Sequence, residues 1–122
     1  FWPETLAVGA STQDERVANF SSRGPQVDVV APGQAITSTW LGGGTRVLSG
    51  TSMAAPHAAG GAALLLTLPP AAEQPRKPAD LQSVLQNTCR PLPGFTADAA
   101  GHGVIQLERA AVELCLSSNG ER

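Results

Sequence analysis

Gly50-Thr51-Ser52-Met53-Ala54-Ala55-Pro56-His57 runs a glycine turn into an alanine-rich helix and sets a serine at the junction. Gly50 can take backbone angles closed to other residues. Thr51 is a good N-cap, because its hydroxyl can accept a bond from an orphan N–H of the first turn. Ser52 then stands in that turn, beside free N–H groups and the positive end of the helix dipole. A nucleophile placed there has its own N–H as an oxyanion-stabilising donor. Downstream, Ala54, Ala55, Ala58, Ala59, Gly60, Gly61, Ala62 and Ala63 make a thin helix, predicted from about Ser52 to Leu66 or Leu68. A helix apolar all round is expected to be buried, and small residues let its neighbours come close. Gly60-Gly61 costs roughly 2 kcal/mol of helix propensity against alanine, which close packing would offset. Pro56 cannot donate to the Ser52 carbonyl, so the first turn is expected to loosen.

Upstream, Ile36 to Trp40 and Thr45 to Leu48 are β-rich runs flanking Leu41-Gly42-Gly43-Gly44, the pattern of a hairpin with a glycine loop. The triple glycine lacks the Lys-Ser/Thr and the strand-to-helix setting of a phosphate loop. Val27 to Ala31 is almost continuously apolar, as a strand covered on both faces should be, and Pro32-Gly33 ends it. Thr5 to Ser11 reads as a further buried strand, and Ser21-Ser22-Arg23-Gly24-Pro25 as a polar loop. Beyond the central helix, Leu68 to Pro78 is a proline-rich solvated connection. Ala79 to Cys89 has amphipathic helical spacing, and Phe95 to His102 reads as a loop. Gly103 to Leu107 reads as a short strand, Glu108 to Leu116 as a last helix, and Ser117 to Arg122 as a loose tail. The fold class is α/β.

The totals narrow the function classes. The 122 residues carry a formal charge of −2 with scattered signs, so nothing favours nucleic acid as a partner. No apolar stretch reaches the roughly 18 residues of a membrane span. Apolar content is 42% but much of it is alanine, aromatics are 4% and Tyr is absent, so the core the chain can build alone is thin. Cys89 and Cys115 have two readings, small buried hydrophobes or one bridge stapling the C-terminal helices.

Ser49-Gly-Thr-Ser-Met-Ala-Ala-Pro-His with Ala58-Ala59-Gly60 resembles the nucleophile segment of the subtilisin-like serine proteases, or subtilases. The resemblance extends through Trp2-Pro3 and Leu6-Ala7-Val8-Gly9-Ala10 to Asn19-Phe20-Ser21-Ser22-Arg23-Gly24-Pro25. It continues through Asp28-Val29-Val30-Ala31-Pro32-Gly33 to the closing Gly101-His102-Gly103-Val104-Ile105, in the family's order. It implies that residues 1–116 are the incomplete, C-terminal part of a subtilase catalytic domain, with 117–122 as a tail. The implied fold is part of a parallel-sheet, three-layer subtilisin-like architecture, with a β-hairpin and a long buried helix starting at the nucleophile. The implied chemistry is acyl transfer to Ser52, in a protease exported to the periplasm or the extracellular space.

Serine needs a base within hydrogen-bond reach and a third group to orient it. His57 lies five residues on, a rotation of roughly 500°, and so points to a different side of the helix. The resemblance makes it a packed, hydrogen-bonded motif residue and not the base. His102, between two glycines, reads as a surface or turn residue. The family's catalytic Asp, His and oxyanion Asn belong to segments N-terminal to these residues. Asp14 and Asp28 match other positions. The partners implied are a peptide or protein substrate and the N-terminal part of the same domain, without which the chain should be inactive. Leu48 and Ser49 resemble positions on the leaving-group side of the cleft. Thr51 resembles a residue whose hydroxyl assists the oxyanion, and Met53 should pack beside the nucleophile. Some subtilases hold calcium or a monovalent ion such as sodium near segments matching Trp2, Thr5 and Asp28. A lone aspartate without a ligand cluster reads instead as a turn or salt-bridge residue, so no metal or cofactor is expected. Two other readings compete. One is an α/β-hydrolase elbow with His102 as base, although Ala54 stands where that motif has glycine. The other is a catalytically dead or non-enzymatic remnant that pairs with another chain and exposes apolar sheet edges.

Overall fold

The computed structural model describes residues 2–69 and 76–118. Strands β1 (Val8–Ser11) and β2 (Val29–Pro32) pair in parallel, with Val8 opposite Val29 and Ser11 opposite Pro32. Strands β3 (Ile36–Trp40) and β4 (Gly44–Leu48) form an antiparallel hairpin across the glycine loop. Helix α1 (Thr51–Leu66) follows, then α2 (Pro78–Asn87), the short α3 (Ala97–Ala100) and α4 (Leu107–Ser118).

Alternation along β2 builds the layers. Val29 and Ala31 join Ala10, Ala54 and Ala58 in one cluster, so this face of the sheet packs on α1. Val30 points the other way, to Val17, Leu92, Ala99, Ala100 and Val104, which puts α3 on the opposite face. A third cluster, Leu65, Leu81, Val84, Leu85 and Ala110, ties the end of α1 to α2 and α4. The α/β class and the parallel pair stand as expected.

Several boundaries differ for physical reasons. β1 starts at Val8 and not at Thr5, because the Asp28 carboxylate accepts the Ala7 N–H at 2.7 Å where a backbone ladder would otherwise continue. β2 begins at Val29, just past that aspartate, and runs one residue further than expected, through Pro32. The strand expected over Gly103–Leu107 shrinks to Val104, which bridges Val30 on one side and Arg90 on the other. The segment expected as a loop at 95–102 contains α3. The last helix starts one residue early and runs through Ser118, past the expected start of the tail; residues 119–122, like 70–75 of the proline-rich connection, lie outside the described residues. Pro56 lies inside α1 without interrupting it, so the loosened first turn is not seen. Cys89 and Cys115 are both free, Cys89 buried and Cys115 exposed, which excludes the bridge and makes only Cys89 a core residue.

The largest correction concerns α1. Its buried residues, Ala54, Ala58, Gly61 and Leu65, form one stripe. Ala55, Ala59, Ala63, Leu64 and Leu66 on the remaining surface are exposed, Leu64 by 63%. A helix apolar on every side is therefore covered on one side only. The outer edge of β1, by contrast, is closed at Ala10, whose N–H donates to Ser21 Oγ at 2.9 Å and whose carbonyl accepts from Ala18 at 2.9 Å. The uncovered apolar surface lies on the helix and the hairpin, not at that strand edge.

Candidate active site

Parallel strands end at their C-terminal edge in loops that can carry chemistry. Here β2 ends at Pro32, and the Gly33 carbonyl accepts the Gly50 N–H at 2.8 Å. That bond places the start of α1 beside the C-terminal end of the sheet. No side chain would fit at Gly33, where a Cβ would come within 2.6 Å of Ala10 Cβ and 2.8 Å of the Gly50 carbonyl. Gly50 itself has φ 157° and ψ 162°, a region essentially reserved for glycine.

Gly50, not Thr51, is the N-cap, and no side chain caps the helix. The reason is that Thr51 already has helical geometry as the first residue of α1. Ser52 is the second, exposed residue. The Met53 N–H donates to the Gly50 carbonyl at 3.0 Å and the Gly50 N–H is taken by Gly33. The N–H groups of Thr51 and Ser52 therefore have no acceptor among the described residues, and neither does the Ser52 hydroxyl. A hydroxyl and two unused N–H donors thus share the electropositive end of a helix of 16 residues.

Ser52 opens on a concavity of about 320 Å³, lined by Ile36, Thr37 and Ser38 of β3 and by Met53, Pro56 and His57 of α1. Met53 lies beside Ser52 there as expected. His57 is the one titratable side chain in this lining. It is exposed, not packed, and its Nδ1 lies 2.9 Å from the Met53 carbonyl. A carbonyl only accepts, so Nδ1 carries the proton and the ring is engaged along its own helix. No carboxylate lines the concavity.

The other sequence candidates fall elsewhere. His102 is exposed in the turn after α3, and its N–H donates to the Asp28 carbonyl at 2.8 Å. Asp28 precedes β2, so His102 sits at the end of that strand opposite to Ser52. Asp28 accepts from Ala7 through Oδ2 and from Gln86 Nε2, at 3.0 Å, through Oδ1. The Trp2 carbonyl accepts both the N–H and the hydroxyl of Thr5. These oxygens are already engaged and include a single carboxylate, a poor match for a dipositive ion. No group of three or more metal-ligating side chains occurs among the described residues.

Leu48 is half-buried at the end of β4. Ser49 is exposed, and its Oγ accepts the Ala35 N–H at 2.8 Å. The β2–β3 turn, Gly33 to Ala35, is the part of the site that sequence reasoning missed. Pro32-Gly33 signals only the end of a strand, and nothing in the chain marks Ala35 as a turn residue.

Comparison with known proteins gives a consistent picture. The family model described as the subtilase family matches residues 2–107. The subtilisin-like serine protease AsES of Sarocladium strictum is 53% identical over 66 residues, which are 54% of this chain and 17% of that protein. Proteinase R of Parengyodontium album is 56% identical over 61 residues, 50% of this chain and 16% of that protein. Among solved structures, the prenylagaramide maturation protease PagA superposes with a TM-score of 0.81 at 31% identity, over 93% of this chain and 43% of that one. A protease of Pseudoalteromonas arctica gives a TM-score of 0.77 at 27% identity, over 92% of this chain and 36% of its own. The chain thus spans less than half the length of each of these relatives.

Proposed function

The chain belongs to the subtilase family, and on that premise we propose that it is the nucleophile-bearing part of a serine endopeptidase. The observation that carries the proposal is Ser52, exposed with a free hydroxyl beside two unpaired N–H donors at the mouth of α1. Family membership removes the α/β-hydrolase reading, and the position of His102 at the wrong end of β2 agrees with that.

In the proposed reaction, Ser52 Oγ attacks the scissile carbonyl and its proton passes to a base from the N-terminal part of the domain. The carbonyl oxygen becomes the oxyanion, held by the Ser52 N–H and assisted by Thr51. Collapse expels the amine, which takes the proton from the base and departs past Leu48 and Ser49. Water then attacks the acyl-enzyme, gives a proton to the base, and releases the acid as that proton returns to Ser52. The proposed chemistry needs no cofactor. The substrate is a peptide or protein, and the setting is periplasmic or extracellular.

The uncovered stripe of α1 supports a dependence on the rest of the domain. An exposed helix stretch carrying Ala55, Ala59, Ala63, Leu64 and Leu66 is a surface built to be covered. The same stripe would serve a catalytically dead remnant paired with another chain, and one experiment separates the two. A fluorophosphonate probe should leave the isolated chain unlabelled and should label Ser52 once the N-terminal part is added. Failure to label the reconstituted protein would sink the protease reading and favour the remnant.

A further inference from the structure

Ser49 and Gly50, consecutive residues entering α1, are each tied to the β2–β3 turn. The Gly50 N–H donates to the Gly33 carbonyl at 2.8 Å, and Ser49 Oγ accepts from the Ala35 N–H at 2.8 Å. The first bond is backbone to backbone. The second exists only because residue 49 carries a hydroxyl. Its donor, Ala35, has φ 54°, in the left-handed region that costs a residue with a Cβ roughly 1–2 kcal/mol. Ala35 has no glycine freedom and is exposed, so packing does not hold it there.

We propose that Ser49 is a positioning residue, whose hydroxyl holds Ala35 in the left-handed region and thereby fixes where β4 delivers Ser52. The proposal rests on Ser52 being the nucleophile. Gly33 is buried and held on both sides, its N–H donating to the Ser11 carbonyl at 3.0 Å and its carbonyl accepting the Gly50 N–H at 2.8 Å, so it does not absorb a relaxation at Ala35. A relaxing Ala35 instead displaces its two movable neighbours. One is Ser49, three residues before Ser52. The other is Ile36, which walls the concavity in front of Ser52. On this assignment the backbone of Ser49 faces the leaving group while its side chain faces away, toward the turn.

The test uses the full-length protease that contains these residues, with kcat normalised to sites titrated by a fluorophosphonate, so that misfolded enzyme is not counted. A peptide p-nitroanilide is the substrate, since it has no residue on the leaving-group side. Ser49→Ala should lower kcat about 5-fold with KM unchanged, the scale of one lost hydrogen bond. Ser49→Thr, which retains the hydroxyl, should recover most of the kcat lost in Ser49→Ala. Ser49→Ala combined with Ala35→Gly should recover most of the loss, because glycine holds a positive φ without help. An unchanged kcat in Ser49→Ala, a change confined to KM, or no recovery in the double variant would overturn the proposal. If the wild-type protein takes no label, the nucleophile assignment fails first and the proposal falls with it; labelling of the wild type with no effect of Ser49→Ala removes the proposal alone.

Discussion

Gly33 and Gly50 meet across one 2.8 Å hydrogen bond, and each excludes a side chain for a different reason. At Gly33 the obstacle is space. At Gly50 there is room, with Met53 Sδ 3.5 Å from where a Cβ would stand, but φ and ψ forbid it. Cys89 shows the same dependence of a residue on its surroundings. It is buried, and its Sγ donates to the Leu85 carbonyl at 3.1 Å. Burial pushes its thiol from the ordinary 9.0 up to about 11, slightly opposed by the charge of Arg109. The folded chain therefore keeps that proton to higher pH than the unfolded chain does. Between pH 9 and 11 the unfolded state binds fewer protons, so stability falls as pH rises through this window and levels off above it. Urea midpoints followed from pH 8 upward should show this decline, and Cys89→Ala should flatten it. An equal slope in both proteins would refute the assignment.

At the scale of an element, α1 ends by a device that no local pattern announces. Its last turn contains no basic residue. Arg76, near the C-terminal end of the proline-rich connection, returns to it. Nη1 donates to the carbonyls of Leu65 at 3.2 Å and Leu68 at 2.6 Å, and Nη2 to that of Pro69 at 2.5 Å. A cation at a helix C-terminus is favourable, and a planar fork meets several carbonyls at once. Arg76→Ala should destabilise the fold by about 1–2 kcal/mol, read as a lowered Tm. Arg76→Lys should restore only part of this, since one ammonium cannot reach the same set of acceptors. A Tm unmoved by Arg76→Ala would show that the bonds contribute nothing.

At the scale of the whole molecule, the chain is a sheet pair with α1 on one face and α3 on the other, and one side of α1 is left bare. Leu64 and Leu66 are exposed by 63% and 56%, and the chain covers 43% of the structurally similar PagA protease. If the N-terminal part of the domain covers this side, Leu64→Lys should leave the circular dichroism of the isolated chain unchanged. It should also weaken association with that part by about 10-fold or more, the value of burying one leucine. Titrating the N-terminal part against fluorophosphonate labelling of Ser52 measures the shift. Undiminished association would place the contact elsewhere.

The glycine turn, the serine behind it, the thin helix, the hairpin and the two parallel strands were legible in the chain, because each depends on neighbours a few residues away. Periodicity and turn chemistry carry that information directly. The resemblance around Ser52 likewise sits in one short run. Tertiary structure alone decided the rest. Ala35 meets Ser49 and Asp28 meets Ala7 across 14 and 21 positions, and Arg76 reaches back 11 to Leu65. Whether α1 is buried was also undecidable from its own composition. Burial belongs to whatever lies against a helix, and here one side has the sheet and the other has solvent.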